Sequence, residues 1–176
     1  MTPTLIAIGV AAAVLLPLGL MALYVEDWSR DLATNRAATD IGASHPLMRP
    51  ITQRFTVERL DEALEGLCRD LPHWSQPDPP KPLPTDANLP LQGDAIAERH
   101  LVRTTGVMRY KDDLWLVVGP NPEEPADAED PRWRLHIVSR SRVGKGDLGQ
   151  NPRNIRELNQ ALVSRLIVGS PPPTKR

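Results

Sequence analysis

Between Arg132 and Arg156 the chain carries seven lysines or arginines and a single acid, Asp147. Arg132, Arg134, His136, Arg140 and Arg142 fall on alternate positions, with Val138 as the one gap, so on a strand they share a face. Guanidinium groups in line repel unless something anionic lies between them. One chemistry that fits is anion binding. Arg140 and Arg142 would fork onto a carboxylate or phosphate, and Gly144 and Gly146 would let backbone N–H groups converge beside Lys145. The N-terminus of a following helix would add its dipole. Arg134, His136, Arg140, Arg142, Lys145, Asp147, Asn151 and Arg153 are therefore the candidate surface for a small anion, an acidic partner or lipid headgroups. The competing reading is internal neutralisation. Glu123, Glu124, Asp127, Glu129 and Asp130 crowd one loop, and Asp112 and Asp113 stand at a strand junction as structural charge partners.

Signals for a reaction are weaker. "GKGDLG" lacks the Gly-Lys-Ser/Thr that closes a nucleotide phosphate loop. His45, His73, His100 and His136 show no metal-ligand spacing, so no metal or other cofactor is expected. Ser139 and Ser141 lie on a strand, not on a nucleophile elbow. Asp112 and Asp113 are adjacent, so a strand sends their carboxylates to opposite faces; one is expected at a turn and the other on an arginine. Cys68 is the only cysteine, which excludes an internal disulfide.

The elements that must position these residues follow from period and punctuation. "TVERLDEALEGLCRDL" opens on Thr56 as N-cap, repeats Leu60, Leu64, Leu67 and Leu71 at helical spacing, and stops at Pro72. Residues 72–92 hold seven prolines and read as an extended strap that Trp74 anchors. Residues 95–105 and 114–118 are candidate strands, with "GVMRYKDD" between them as a turn or short strand. Residues 119–131 form an acidic proline loop. Trp133, Leu135 and Ile137 then alternate with the basic face of a half-buried strand. Asn151 is the expected N-cap of the last helix, with Pro152 in its first helical position. Ile155, Leu158, Leu162 and Leu166 mark the buried stripe of that helix, which is expected to end near Gly169. The fold class is α+β: an antiparallel sheet of about three to five strands with two packing helices on one face, preceded by one transmembrane helix.

That last element is residues 5–25, "LIAIGVAAAVLLPLGLMALYV", 21 residues without a charge. As a helix they extend about 31 Å, against a hydrocarbon core of about 30 Å. The alternative, a cleaved signal peptide, lacks a basic leader and an Ala-x-Ala site. Pro17 would kink the span. Gly9 and Ala13 form a small-xxx-small pair that admits a neighbouring helix, or are ordinary membrane-helix composition. Tyr24 and Trp28 suit the far interface. The organisation is then a transmembrane helix in 1–28, a juxtamembrane arm in 29–55, an α+β domain in 56–169 and a tail in 170–176.

A net charge of -1 and only 4 Trp, 2 Tyr and 1 Phe argue against nucleic acid as a partner.

"HPLMRPI", "ERLDEAL", "MRYKDDLWL" and "VSRSRVGKGDLGQN" occur here in an order that resembles the domain of unknown function 1499 family of bacteria and plastids. The family pattern places an acidic pair after an aromatic, here Tyr110 before Asp112 and Asp113. Arg-Ser-x-Ser-Arg-x-Gly-x-x-Asp-x-Gly-x-Asn follows, matched by Ser139, Ser141, Arg142, Gly144, Asp147, Gly149 and Asn151. The likeness covers roughly residues 45–165. Val138 replaces the first arginine of that block, Asn154 stands where a basic residue is usual, and "TNRAATD" replaces an early Asn-Cys-Val-Ser-Ser. The resemblance implies a compact α+β domain, often behind an export or membrane segment, and no known reaction.

These observations lead to an expectation of a single-pass, membrane-anchored, non-catalytic accessory subunit in the bacterial inner membrane. Its domain would be periplasmic, although Arg30 and Arg36 after the span favour the cytoplasm by charge count. Its partners would be the lipid bilayer and a larger respiratory or photosynthetic membrane complex. The alternative is a membrane-tethered small-anion-binding or enzymatic domain that uses the arginine strand and glycine-rich turn.

Overall fold

Leu60, Leu64 and Leu67 recur one turn apart, and in a computed structural model of the chain all three are fully buried along one side of a helix. The structure describes residues 28–87, 89, 91, 94–106, 108–123 and 132–166, with Val25 and a few positions between 11 and 19. Its elements are α1 (Trp28–Asp31), β1 (Arg36–Ala38), a 3-10 turn (Pro46–Met48), β2 (Ile51–Gln53), α2 (Val57–Asp70), β3 (Trp74–Ser75), β4 (Ala97–Thr104), β5 (Lys111–Pro120), β6 (Trp133–Ser141) and α3 (Gln150–Leu166).

The fold is α+β, a six-stranded antiparallel sheet with two packing helices. Strand order is β1-β6-β5-β4-β3, and β2 also pairs with β6. Three strands are long enough to show a period. The other three have two or three residues and show none, so the sheet exceeds the three to five strands expected. Residues 29–55 supply two of these short strands, β1 and β2, which lie end to end along β6, on residues 138–140 and 133–135.

The helices share one face of the sheet. Thr56 caps α2, its hydroxyl accepting the Arg59 N–H at 3.2 Å. Leu60, Ala63, Leu64 and Leu67 from α2 and Ile155, Leu158, Leu162 and Leu166 from α3 meet Leu101, Leu114, Leu116, Val118, Leu135 and Ile137 in one core. Each such burial contributes about 2 kcal/mol. Arg99 and Arg103 of β4 point to the same side and bond Asp61 of α2 and Glu157 of α3.

The strap crosses the opposite face. Trp74, at its start, is buried in β3 and donates its indole N–H to Glu157 Oε1 at 3.1 Å. β5 is therefore covered on both sides, which is why its run "LWLVV" is continuously apolar.

Of the candidate span 5–25, Gly9 and Pro17 lie outside the described residues, and Ala13 is helical and exposed. No helix among the described residues is long and apolar enough to cross a membrane. Residues 124–131 of the acidic loop and the tail 170–176 also lie outside them.

Candidate functional site

Strand alternation separates the two adjacent aspartates. Asp113 faces the strap, and Asp112 faces the helices. Each heads its own polar network.

Around Asp113, the Arg142 guanidinium forks onto the carboxylate, Nη2 to Oδ1 at 2.6 Å and Nε to Oδ2 at 2.8 Å. Lys81 of the strap reaches Oδ2 at 2.9 Å, and His100 Nε2 lies 2.9 Å from Oδ1. Burial alone would raise the Asp113 pKa, but the bonds from Arg142, Lys81 and His100 outweigh it and hold it at about 2. Lys81 also donates its backbone N–H to His100 Nδ1 at 3.0 Å and accepts the Trp115 indole N–H at 3.1 Å. Since Nδ1 accepts, Nε2 carries the proton and donates it to Asp113. His100 stacks on Trp115 with ring centroids 5.2 Å apart. Its pKa is lowered by burial first, against the pull of Asp113. Both ring nitrogens are occupied, so this imidazole has no lone pair to offer a substrate, and the triad arrangement in which one nitrogen faces a nucleophile is absent here.

Arg134 and Arg140 are also met by the chain, while the Nδ1 of buried His136 has no hydrogen-bond partner among the described residues. Arg134 donates to Asn121 Oδ1 at 2.9 Å and lies 3.4 Å from Glu123. Arg140 lies 3.5 Å from Asp86 of the strap, which also takes Arg36 at 3.1 Å. His136 is buried, and burial followed by the Arg134 charge holds its pKa down at about 4. Asp86 of the strap is thus the counter-charge of Arg140 and Arg36, while Lys81 of the strap is itself neutralised by Asp113.

Around Asp112 the partners are amides and hydroxyls. Asn154 donates to Asp112 Oδ2 at 2.8 Å and accepts from Gln150 at 2.6 Å. Asn151 accepts from Ser139 Oγ at 2.6 Å and donates to the Asn35 carbonyl at 2.7 Å and to Asp147. Asp147, not Asn151, caps α3: its carboxylate accepts the N–H groups of Gly149 and Asn151 at 2.9 and 2.8 Å. Asn151 sits inside the first turn with its side chain turned back to β6. Pro152 still lacks only an N–H that has no intrahelical partner so close to the helix start. The anion that the glycine-rich turn receives is the chain's own Asp147. Gly146 admits no side chain, because a Cβ there would stand 2.5 Å from the Leu32 carbonyl oxygen. The N–H groups of Asp147 and Leu148 both donate to the Asp31 carbonyl at 3.0 Å.

A pocket of about 470 Å³ opens beside this second network. Lys111, Asp112, Asp147, Gln150 and Arg153 contribute its polar lining, and Met108, Tyr110, Val143 and Leu148 its apolar lining. Arg153 also donates to the Leu148 carbonyl at 2.9 Å. Of the candidate surface, Asp147 and Arg153 reach this pocket, whereas Arg134, His136, Arg140, Arg142, Lys145 and Asn151 do not line it. Among the described residues no group of three or more His, Cys, Asp or Glu is placed to hold a metal ion.

Sequence reasoning missed Lys81, His100, Asn35 and Asn154 as network members. Lys81 had no signal beyond being the one cation in a proline run. His73, missed likewise, lies 2.7 Å from Glu157. Burial would raise the Glu157 pKa, but His73, Trp74 and Arg103 lower it.

Two of the three departures from the expected family pattern are neighbours. Ala38 of "TNRAATD" pairs directly with Val138 across β1 and β6. No curated protein and no solved structure matches the chain. Residues 31–162 match the family described as "Protein of unknown function (DUF1499)", a stretch that takes in both networks, and the chain belongs to that family.

Proposed function

We propose that the protein is a single-pass, membrane-anchored accessory subunit whose α+β domain docks on a larger bacterial membrane protein complex and turns over no substrate. One observation carries this reading. The groups best suited to chemistry are bonded to one another: His100 at both nitrogens, Arg142 in a fork on Asp113, and the α3 N-terminus on Asp147. What the domain offers outward is surface. The tether rests on the uncharged residues 5–25, long enough as a helix to cross a bilayer. The domain is assigned to the periplasmic side of the inner membrane, the side that the family resemblance implies. A topology reporter fused after Arg176 checks that side.

The test of docking is affinity capture of the full-length chain, at native expression, from detergent-solubilised membranes. The expected result is a recurring set of integral-membrane subunits in fixed ratio to the chain, from a respiratory or photosynthetic assembly. Recovery of the chain alone contradicts the proposal.

The pocket favours a second reading, a membrane-tethered domain that binds a small ligand. Its volume suits one. Its lining differs from the arginine set expected for an anion.

A further inference from the structure

Five of the large apolar side chains exposed among the described residues gather at one end of the sheet: Trp28, Leu32, Met108, Tyr110 and Val143. This is the end where β4 finishes, β5 begins and β6 finishes, and where the pocket opens. The connections are tight. Leu32 abuts Gly146, the Asn35 amide donates to the Gly144 carbonyl at 3.0 Å, and the Arg142 N–H donates to the Lys111 carbonyl at 3.1 Å.

Among the described residues the exposed charges at this end are one-sided. Arg109, Lys111 and Lys145 are exposed, and no acid among the described residues is paired with them. The nearby acids are withdrawn. Asp31 and Asp112 are buried, and the Asp147 carboxylate takes the N–H groups of the α3 start. Trp28 follows residue 25, the end of the apolar stretch, by three positions. Three residues extend at most about 10 Å.

We infer that this end of the domain is seated on the bilayer itself. Trp28 and Tyr110 occupy the interfacial layer that amphipathic rings favour. Leu32, Met108 and Val143 enter beneath it, and Arg109, Lys111 and Lys145 meet the phosphates of anionic phospholipids. The inference rests on the tether of the proposed function but not on the docking partner.

Ile96 provides an internal control, because it is 45% exposed at the opposite end, against 62% for Met108 and 62% for Val143. The experiment uses the full chain carrying Cys68→Ser, reconstituted in vesicles of phosphatidylglycerol and phosphatidylethanolamine. Spin labels are placed singly through Met108→Cys, Val143→Cys and Ile96→Cys. Collision rates are read with oxygen, which concentrates in the bilayer, and with a water-soluble nickel chelate.

Labels at 108 and 143 are expected to collide more with oxygen than with nickel, and the label at 96 the reverse. Replacing phosphatidylglycerol with a zwitterionic lipid, or adding Lys111→Glu with Lys145→Glu, is expected to move the first two labels toward water. Nickel-dominated signals at all three positions overturn the inference while leaving the tether standing. Labels at 108 and 143 silent to both reagents mean that protein covers this end, a second copy or the docking partner, and also overturn it. A chain that does not float with the vesicles overturns both this inference and the tether.

Discussion

Two helices close one face of the sheet, and a proline-rich strap closes the other, with a different physics on each side. The helices bring Leu60, Leu64, Leu67, Ile155, Leu158 and Leu162, all fully buried. That adhesion is non-directional and scales with area. The strap brings Lys81, whose N–H, carbonyl and ammonium each find a polar partner on the sheet, and Asp86, which meets two arginines. That adhesion is directional and depends on protonation. A segment without secondary structure has no apolar stripe to offer, so it is held by its backbone and its few charges. The comparison teaches that the strap is held through Lys81 on Asp113, His100 and Trp115, and through Asp86 on Arg36 and Arg140.

Breaking the helix side should cost most. Leu64→Ala empties a fully buried site and is expected to destabilise the whole domain by about 3 to 4 kcal/mol, read as one cooperative shift of the urea midpoint. Asp113→Asn should cost less and act locally. The Asp113 carboxyl titrates at about 2 in place of 3.8. Because the folded value is depressed, its contribution of about 2 kcal/mol is present above pH 3.8 and lost as pH falls toward 2. Wild type and variant should therefore differ at pH 7 and converge in strong acid. Hydrogen exchange should quicken at the Lys81 amide while the amides of α2 stay protected.

The pH response sharpens the contrast further. His136 titrates at about 4 in place of 6.5. The unfolded chain then binds more protons than the folded one between those values, so stability is full above pH 6.5 and declines as pH falls toward 4. His136→Gln is expected to flatten the urea midpoint across that window. An unchanged slope would assign the acid sensitivity elsewhere. Arg140→Gln should matter least. Its pair with Asp86 is half exposed and 3.5 Å long, and the loss should stay below about 1 kcal/mol.

The helix face was legible in the sequence for the same reason that it is stable. Leu60, Leu64, Leu67 and the stripe from Ile155 to Leu166 announce themselves by spacing, and Thr56 announces its helix start. Alternation also foretold that Asp112 and Asp113 would part, with one of them on an arginine; the other was expected at a turn, but Asp112 is buried within β5 and takes the Asn154 amide. The strap face was not legible. Nothing in "PDPPKPLP" distinguishes a lysine whose backbone and ammonium both bond to the sheet from one dangling in solvent. Strands as short as β1 and β2 carry no period, so the segment holding Asn35 read as an arm. The start of α3 offered two good caps four residues apart, Asp147 and Asn151. Tertiary context chose between them, because Ser139 and the Asn35 carbonyl claim the Asn151 amide. The pocket likewise comes from two loops distant in sequence, which no local pattern joins.

The central claim is that the Arg142 guanidinium is committed to Asp113 and is not waiting for an anion. The most direct measurement is the thermal midpoint of the full-length protein, titrated with phosphate, sulfate and dicarboxylates at constant ionic strength. The predicted result is no saturable rise with any of them. A saturable rise with one anion that disappears in Arg142→Gln would contradict the claim.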